Sequence, residues 1–282
     1  MRKKLNPMVV FGFFLSFFVL IFLTGLMAKK PTTTTATKSE NVTAKSSSTT
    51  TSSSSSSYYI TNALEMKPII DVSAWQRPSE IDYDTLSQNI SGAIIRIQSG
   101  SHTKNENTAS DQNGLDKFFD THIKEFQARN IPVAVYAYVT GNSIENMKEE
   151  ARSFYKAANK YNPTFYWLDV EEYTMDNMNA GVEAFRKELE TLGAKNIGIY
   201  IGTYFMEDHS INVDKFDAIW IPTYGDDSGY YNAAPNTDLD YDLHQYTSQG
   251  YVNGFEHYLD LNIITTLKDP NEVYKKLFTT PE

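Results

Sequence analysis

Residues 164–172 read TFYWLDVEE, and the fold turns on how they are read. Thr164–Val170 is a short run of aromatic and branched residues, which reads as a buried strand. Side chains alternate along a strand, so Asp169 and Glu171 project the same way. Their Cα atoms then lie about 6.6–7 Å apart, at 3.3–3.4 Å per residue. The pair closes an apolar strand, which places it at the rim of a core. Taken alone, an Asp-x-Glu has a blander reading, in which Asp169 caps the following helix and Glu171 is a solvated flank.

Seven other runs read as strands for the same reason: Lys67–Ser73, Gly92–Gln98, Pro132–Val139, Asn196–Gly202, Ala218–Tyr224, Asp242–Thr247 and Leu259–Thr265. Amphipathic stretches at Asp116–Arg129, Asn142–Tyr161 and Met175–Leu192 are long enough to be helical crossovers between parallel strands. After them the spacing changes. The last four strands are joined by segments such as GDDSGYYNAAPNTDLD, which carry turn residues and no helical period. The expected fold is α/β: an irregular TIM-like barrel of eight strands, with β/α units in its first part and mostly β in its last third. Closure removes both sheet edges.

In such barrels the site lies at the carboxyl ends of the strands. The residues there are polar or tyrosine: Asp71, Ser73, Arg96, Gln98, Tyr136, Tyr138, Asp169, Glu171, Tyr200, Tyr224, Gln245, Asp260 and Asn262. First and last strands are neighbours in a closed barrel, so Asp71 and Asp260 should approach each other and the Asp169/Glu171 pair. Carboxylates sharing a partly dry pocket repel, and one of them keeps its proton. A glycosidase needs that combination of proton donor and anion. Flat rings suit the C–H faces of sugars, and Trp75, Tyr136, Tyr138, Trp167, Tyr200, Trp220, Tyr224 and Tyr246 line the same rim. Core filling is the competing reading for Trp167 and Trp220.

Composition divides the chain into three parts. Met8–Met27 is almost wholly apolar and no charge falls within Asn6–Ala28, while Arg2, Lys3 and Lys4 precede it. About 20 residues at 1.5 Å rise cross a hydrocarbon core of about 30 Å, so residues 1–30 are expected to be a signal-anchor with its N-terminus cytoplasmic. A cleaved signal peptide, giving a secreted protein, is the alternative; Leu26-Met27-Ala28 makes a poor cleavage site for it. Residues 31–66 are Ser/Thr-rich and read as a flexible tether. Residues 67–282 are expected to form the barrel domain, extracytoplasmic and facing the cell wall.

That domain is acidic. Residues 1–66 hold seven Lys/Arg and two Glu, which leaves 18 basic and 33 acidic residues, a net −15, for residues 67–282. Such a field does not attract nucleic acid or anionic polymers. The chain has no Cys, which excludes disulfides, thiolate metal sites and Cys nucleophiles. Its five His are scattered without metal-ligand spacing, so a zinc hydrolase is disfavoured.

In order and spacing, the chain resembles the glycoside hydrolase family 25 lysozymes, the Chalaropsis type. The resemblance rests on Ile70-Asp71-Val72-Ser73 with Trp75-Gln76, Arg96, PVAVYAYV at 132–139, Asp169-Val170-Glu171, Gly198-Ile199-Tyr200, Ile219-Trp220-Ile221-Pro222, His244-Gln245-Tyr246 and Asp260-Leu261-Asn262. It implies an N-acetylmuramidase that cuts the β-1,4 bond between N-acetylmuramic acid and N-acetylglucosamine in peptidoglycan. Glu171 would be the general acid. Asp169 would stabilise developing charge or orient the substrate's acetamido group, with Asp71 and Asp260 as supporting carboxylates. Tyr138, Tyr200 and Gln245 would be subsite residues, alongside Trp75, Arg96, Tyr136, Trp220, Tyr224 and Asn262 from the rim. No metal or cofactor is implied. The chain carries none of the wall-binding repeats common in the family, and Arg96-Ile97-Gln98-Ser99-Gly100 departs from the usual pattern. The implied role is wall remodelling, or wall opening for a secretion or conjugation machine. The competing function is a membrane-tethered module that binds glycan without cutting it.

Overall fold

The computed structural model describes residues 52–100 and 106–281. Eight strands close into a barrel in sequence order. They are β1 (Ile69–Val72), β2 (Gly92–Gln98), β3 (Val133–Tyr138), β4 (Tyr166–Asp169), β5 (Ile197–Tyr200), β6 (Ala218–Pro222), β7 (Leu243–Gly250) and β8 (Leu259–Ile264). Strands β1 to β7 run parallel, and β8 is antiparallel to both β7 and β1. A short hairpin can therefore join β7 to β8, where a parallel partner would need a crossover. Each of the eight strands expected from the sequence is present.

The helices are α1 (Ser52–Glu65), α2 (Tyr83–Ser87), α3 (Phe119–Ala128), α4 (Ile144–Ala158), α5 (Met178–Leu192), α6 (Thr203–Asp208) and α7 (Pro270–Phe278). The three crossovers expected from periodicity are α3, α4 and α5. Helix α4 buries Met147, Ala151, Phe154 and Ala158, and α5 buries Met178, Val182, Phe185 and Leu189. Both sets repeat at helical spacing, and the two stripes meet where the rings of Phe154 and Phe185 lie 6.3 Å apart. Asn177 begins α5 by accepting from the Ala180 amide at 3.0 Å, and Gly193 ends it at φ +96°. Asp169 therefore caps no helix.

The barrel interior has two levels. The lower one is apolar: Ile69, Ile94, Ala134, Ala218, Leu243 and Ile264 surround Trp167, which is 1 % exposed. Gly198 on β5 makes room for that indole, since a Cβ there would lie 2.4 Å from its ring. Trp167 is thus core, the first of the two readings offered for it. The upper level, nearer the strands' carboxyl ends, is polar.

The expected signal-anchor and most of the tether lie outside the described residues. Among the described residues no helix is long and apolar enough to cross a membrane. The end of the stretch expected to be flexible is helical, as α1. Its last turns contain Ala63, which is fully buried, and the following Met66 packs on the cluster formed with Val273, Leu277 and Phe278 of α7. Packing of these few apolar residues supports a helix that Ser propensity alone would not.

Candidate active site

At the upper level a cavity of about 170 Å³ opens at the carboxyl ends of the strands. Its walls hold four carboxylates (Asp71, Asp169, Glu171 and Asp260), four aromatic side chains (Tyr136, Tyr200, Trp220 and Tyr224) and Gln245. The Asp169/Glu171 pair does face one way, with Val170 between them buried in the outer core. Asp71 and Asp260 stand directly opposite each other on β1 and β8, as closure requires.

A hydrogen-bonded chain holds Asp71. Its Oδ2 accepts from Gln245 Nε2 at 2.9 Å and from Asn262 Nδ2 at 2.8 Å. Gln245 Oε1 in turn accepts from the hydroxyls of Tyr200 at 2.8 Å and Tyr224 at 2.5 Å. Asn262 Oδ1 accepts from the indole N–H of Trp220 at 2.8 Å. These acceptor roles fix which way both amides point. Burial pushes the Asp71 carboxyl up to about 6, against the lowering effect of the two amide donors. Asp260 has no such donors among the described residues. Burial, then the charge of Asp71, pushes it up to about 9.

Asp169 is 8 % exposed, and its Oδ1 is buried with no hydrogen bond. Desolvation first, then Glu171 and Asp71, raises its carboxyl well above the usual range, with Arg96 acting in the opposite direction. Glu171 lies beyond the strand end and is open to solvent at the mouth. Its carboxyl is also raised, first by the desolvated pocket wall and then by Glu172 and Asp71. Because its side chain still reaches water, that desolvation acts on Glu171 more weakly than on Asp169.

Four of the residues expected at the site do not line the cavity. Asn262 is fully buried beneath it and acts on Asp71 and Trp220. Arg96 turns to Asp116, with Nε 3.2 Å and Nη2 3.1 Å from Asp116 Oδ2. The Tyr138 hydroxyl donates to Glu172 at 2.8 Å, outside the cavity. Trp75 stands 60 % exposed on the loop after β1.

Three acids went unassigned in the sequence. Asp116 was read only as the start of a helix. Glu172 was read only as a neighbour of the pair. Asp227 pins the long β6–β7 loop to β7, accepting from Thr247 Oγ1, the Ser248 amide and hydroxyl, and Gln249 Nε2 at 2.7–3.0 Å. The Asp227-Ser228-Gly229 turn sequence was the available signal for that last role.

All the strongly exposed aromatic rings among the described residues lie in segments that follow the strands on this face, Tyr204 in α6 and the others in loops. They are Trp75 after β1, Tyr173 after β4, Tyr204 after β5, Tyr230 after β6, and Tyr251 and Tyr258 in the β7–β8 hairpin. Tyr251 and Tyr258 meet edge to face at 6.2 Å.

Glycosyl hydrolases family 25 matches residues 70–255, a span that contains all but Asp260 of the cavity wall. The chain belongs to this family. It is a glycoside hydrolase. Among solved structures it is similar to GHIP of Streptococcus pneumoniae, described as a glycosyl hydrolase 25 and a virulence factor participating in host cell invasion. The two are 56 % identical, with a TM-score of 0.75, over 81 % of this chain and 99 % of that one. The catalytic domain of endolysin ply40 from bacteriophage P40 of Listeria monocytogenes is 25 % identical with a TM-score of 0.63, over 74 % of this chain and 97 % of that one. The lysozyme of Streptomyces coelicolor shares the fold at 18 % identity and a TM-score of 0.60, over 77 % and 99 % of the two chains. No curated protein matches the chain at a significant level.

Proposed function

We propose that this family 25 glycoside hydrolase cleaves peptidoglycan at the β-1,4 bond that follows N-acetylmuramic acid, with Glu171 as general acid and Asp169 as its anionic partner. One observation carries the assignment of roles. Of two carboxylates on one wall, Glu171 is accessible and Asp169 is recessed. A proton donor must reach the leaving oxygen, and the more exposed of the two carboxylates is the better placed to do so. Family membership and the similarity to proteins named as an endolysin and a lysozyme support the substrate class.

Desolvation raises both carboxyls of the pair, and the charge of Glu171 adds to the effect on Asp169. The transition state carries oxocarbenium-like positive charge, which favours ionised Asp169 and leaves the proton on Glu171. Asp169, on the cavity wall, can accept the N–H of the substrate's acetamido group, or face the developing charge directly. As the glycosidic C–O bond breaks, the Glu171 proton passes to the departing 4-oxygen of N-acetylglucosamine. The resulting Glu171 carboxylate then takes a proton from the water that attacks the anomeric carbon. Asp71, held by its two amide donors, keeps negative charge beside the positive charge that forms.

The acidic domain has no electrostatic attraction for an anionic wall. An N-terminal anchor with a Ser/Thr tether would hold it at the outer face of the membrane, where it would remodel the wall or open it for a secretion or conjugation machine. The test of the activity is digestion of purified peptidoglycan with mass spectrometry of the products. New reducing ends on N-acetylmuramic acid are expected. Reducing ends on N-acetylglucosamine would overturn the bond assignment, and binding without cleavage would establish a glycan-holding module.

A further inference from the structure

The segment that follows β4 is tied down on both sides. Glu172 accepts the Tyr138 hydroxyl at 2.8 Å, and the Thr174 hydroxyl donates to the Gly141 carbonyl at 2.7 Å. Both side chains thus bond to the end of β3 and the loop after it. Tyr173, between them, turns the other way. Its ring stacks on His209, which follows α6, with centroids 4.9 Å apart and planes inclined by 21°. His209 lies 4.4 Å from Phe205, a half-buried ring packed on the core. The Tyr173 hydroxyl donates to Asp176 at 3.2 Å. The protein itself therefore holds this ring in place, and a ligand that meets it orders little further side-chain freedom.

Tyr173 is nevertheless 57 % exposed. His209 covers one face, so the other face and the ring edge meet solvent. A single exposed ring is ordinary, but the position of this one is informative. Asp169, Glu171 and Tyr173 follow at intervals of two residues, the first recessed and the other two open to solvent. Two residues span at most about 7 Å, so the Tyr173 backbone lies within that distance of Glu171. Glu171 gives its proton to the oxygen that joins two sugars. The sugar whose anomeric carbon reacts sits inward, against Asp169. The departing sugar lies outward, on the side where the chain carries Tyr173. A flat ring with one free face suits the C–H face of that sugar.

We propose that Tyr173 is the stacking platform for the departing N-acetylglucosamine residue, and that His209 is the positioning residue that holds the platform. The inference rests on the muramidase reading above, which supplies the roles of Asp169 and Glu171. It adds a binding residue that lies outside the cavity wall and beside the bond that breaks.

The stack forms with a sugar on the leaving side, and a substrate without one cannot use it. Tyr173→Ala should raise KM on peptidoglycan several-fold with kcat largely kept, the pattern of lost uniform binding. Tyr173→Phe keeps the ring and loses only the bond to Asp176, so it should behave much as wild type. His209→Ala leaves the ring without its support and should raise KM less than Tyr173→Ala. A short glycan ending in N-acetylmuramyl β-fluoride releases fluoride and places no sugar beyond Glu171. On that substrate the Tyr173→Ala loss should disappear.

The experiment is kcat and KM for wild type and the three variants on peptidoglycan and on the glycosyl fluoride, with circular dichroism to establish folding. A rise in KM for Tyr173→Ala that is confined to peptidoglycan and reversed in Tyr173→Phe supports the proposal. Equal losses on the two substrates, no loss on peptidoglycan, or a Tyr173→Phe as impaired as Tyr173→Ala would overturn it. If Tyr173→Ala does not fold, a peptidoglycan-specific rise in KM for His209→Ala supports the proposal and its absence overturns it. Wild type that cleaved no peptidoglycan would refute the muramidase reading instead, a result separate from any effect of Tyr173.

Discussion

Asp71 and Asp260 are register partners, directly opposite across the antiparallel β1–β8 ladder that closes the barrel. Like charges placed opposite each other on adjacent strands destabilise a sheet, and here both lie at the rim of a partly dry pocket. Asp71 escapes part of the cost through its two amide donors, and Asp260 does not. The fold closes on an electrostatic strain that serves the site.

That strain should be visible in stability. The folded pKa of Asp260, about 9, lies above its unfolded value near 3.9. The native state therefore binds this proton more tightly, and stability falls as the pH rises between those values. Asp260→Asn should unfold at a temperature roughly 2–4 °C above wild type at pH 8 for each kcal/mol recovered, with no advantage near pH 4. Thermal melts across that range check it; an advantage independent of pH would contradict it.

Gln245 joins three groups, so its loss should be costly. Gln245→Leu leaves the Tyr200 and Tyr224 hydroxyls without their acceptor and Asp71 with one donor instead of two. Buried unsatisfied groups cost about 1–3 kcal/mol. Denaturant unfolding should show a loss of that order, and the Asp71 carboxyl should titrate above 6 in carbon-detected NMR.

Gly198 and Trp167 form a single packing unit. Gly198→Ala would place its methyl 2.4 Å from the indole of a fully buried Trp167. Overpacking of this kind costs about 1–3 kcal/mol. Because Trp167 lies two residues below Asp169, kcat should fall along with the melting temperature. Unchanged activity in a destabilised protein would show that the indole does not position the carboxylate.

The exposed tyrosine pair offers a contrast. Tyr251→Ala with Tyr258→Ala should change stability by no more than about 0.5 kcal/mol, as surface substitutions do. On polymeric peptidoglycan, KM should rise several-fold with kcat retained, the pattern of lost uniform binding. Equal kinetics in the double variant would remove this hairpin from the glycan surface.

Much of this was legible in the sequence because it follows from two simple rules. Alternation along β4 put Asp169 and Glu171 together, and barrel closure put Asp71 beside Asp260. The sequence left Trp167 between core and site, since the choice depends on Gly198 of the neighbouring strand leaving space. The pairing of Arg96 with Asp116 was not legible for a similar reason: the two lie 20 residues apart, and no local pattern links them. Helix α1 was missed because its support is a few apolar side chains and α7, whereas the local signal is a run of Ser. The eight strands were found and the short helices α2, α6 and α7 were not, since five to nine residues carry too little periodicity.

The most direct test of the central claim is the rate of peptidoglycan cleavage by Glu171→Gln, an isostere that cannot donate a carboxyl proton. Loss of a general acid typically costs about 10²–10⁴ in rate. The proposed mechanism predicts a loss in that range with the fold and glycan binding intact. A Glu171→Gln protein that cleaves at the wild-type rate would show that another group delivers the proton, and the roles assigned to Glu171 and Asp169 would fall.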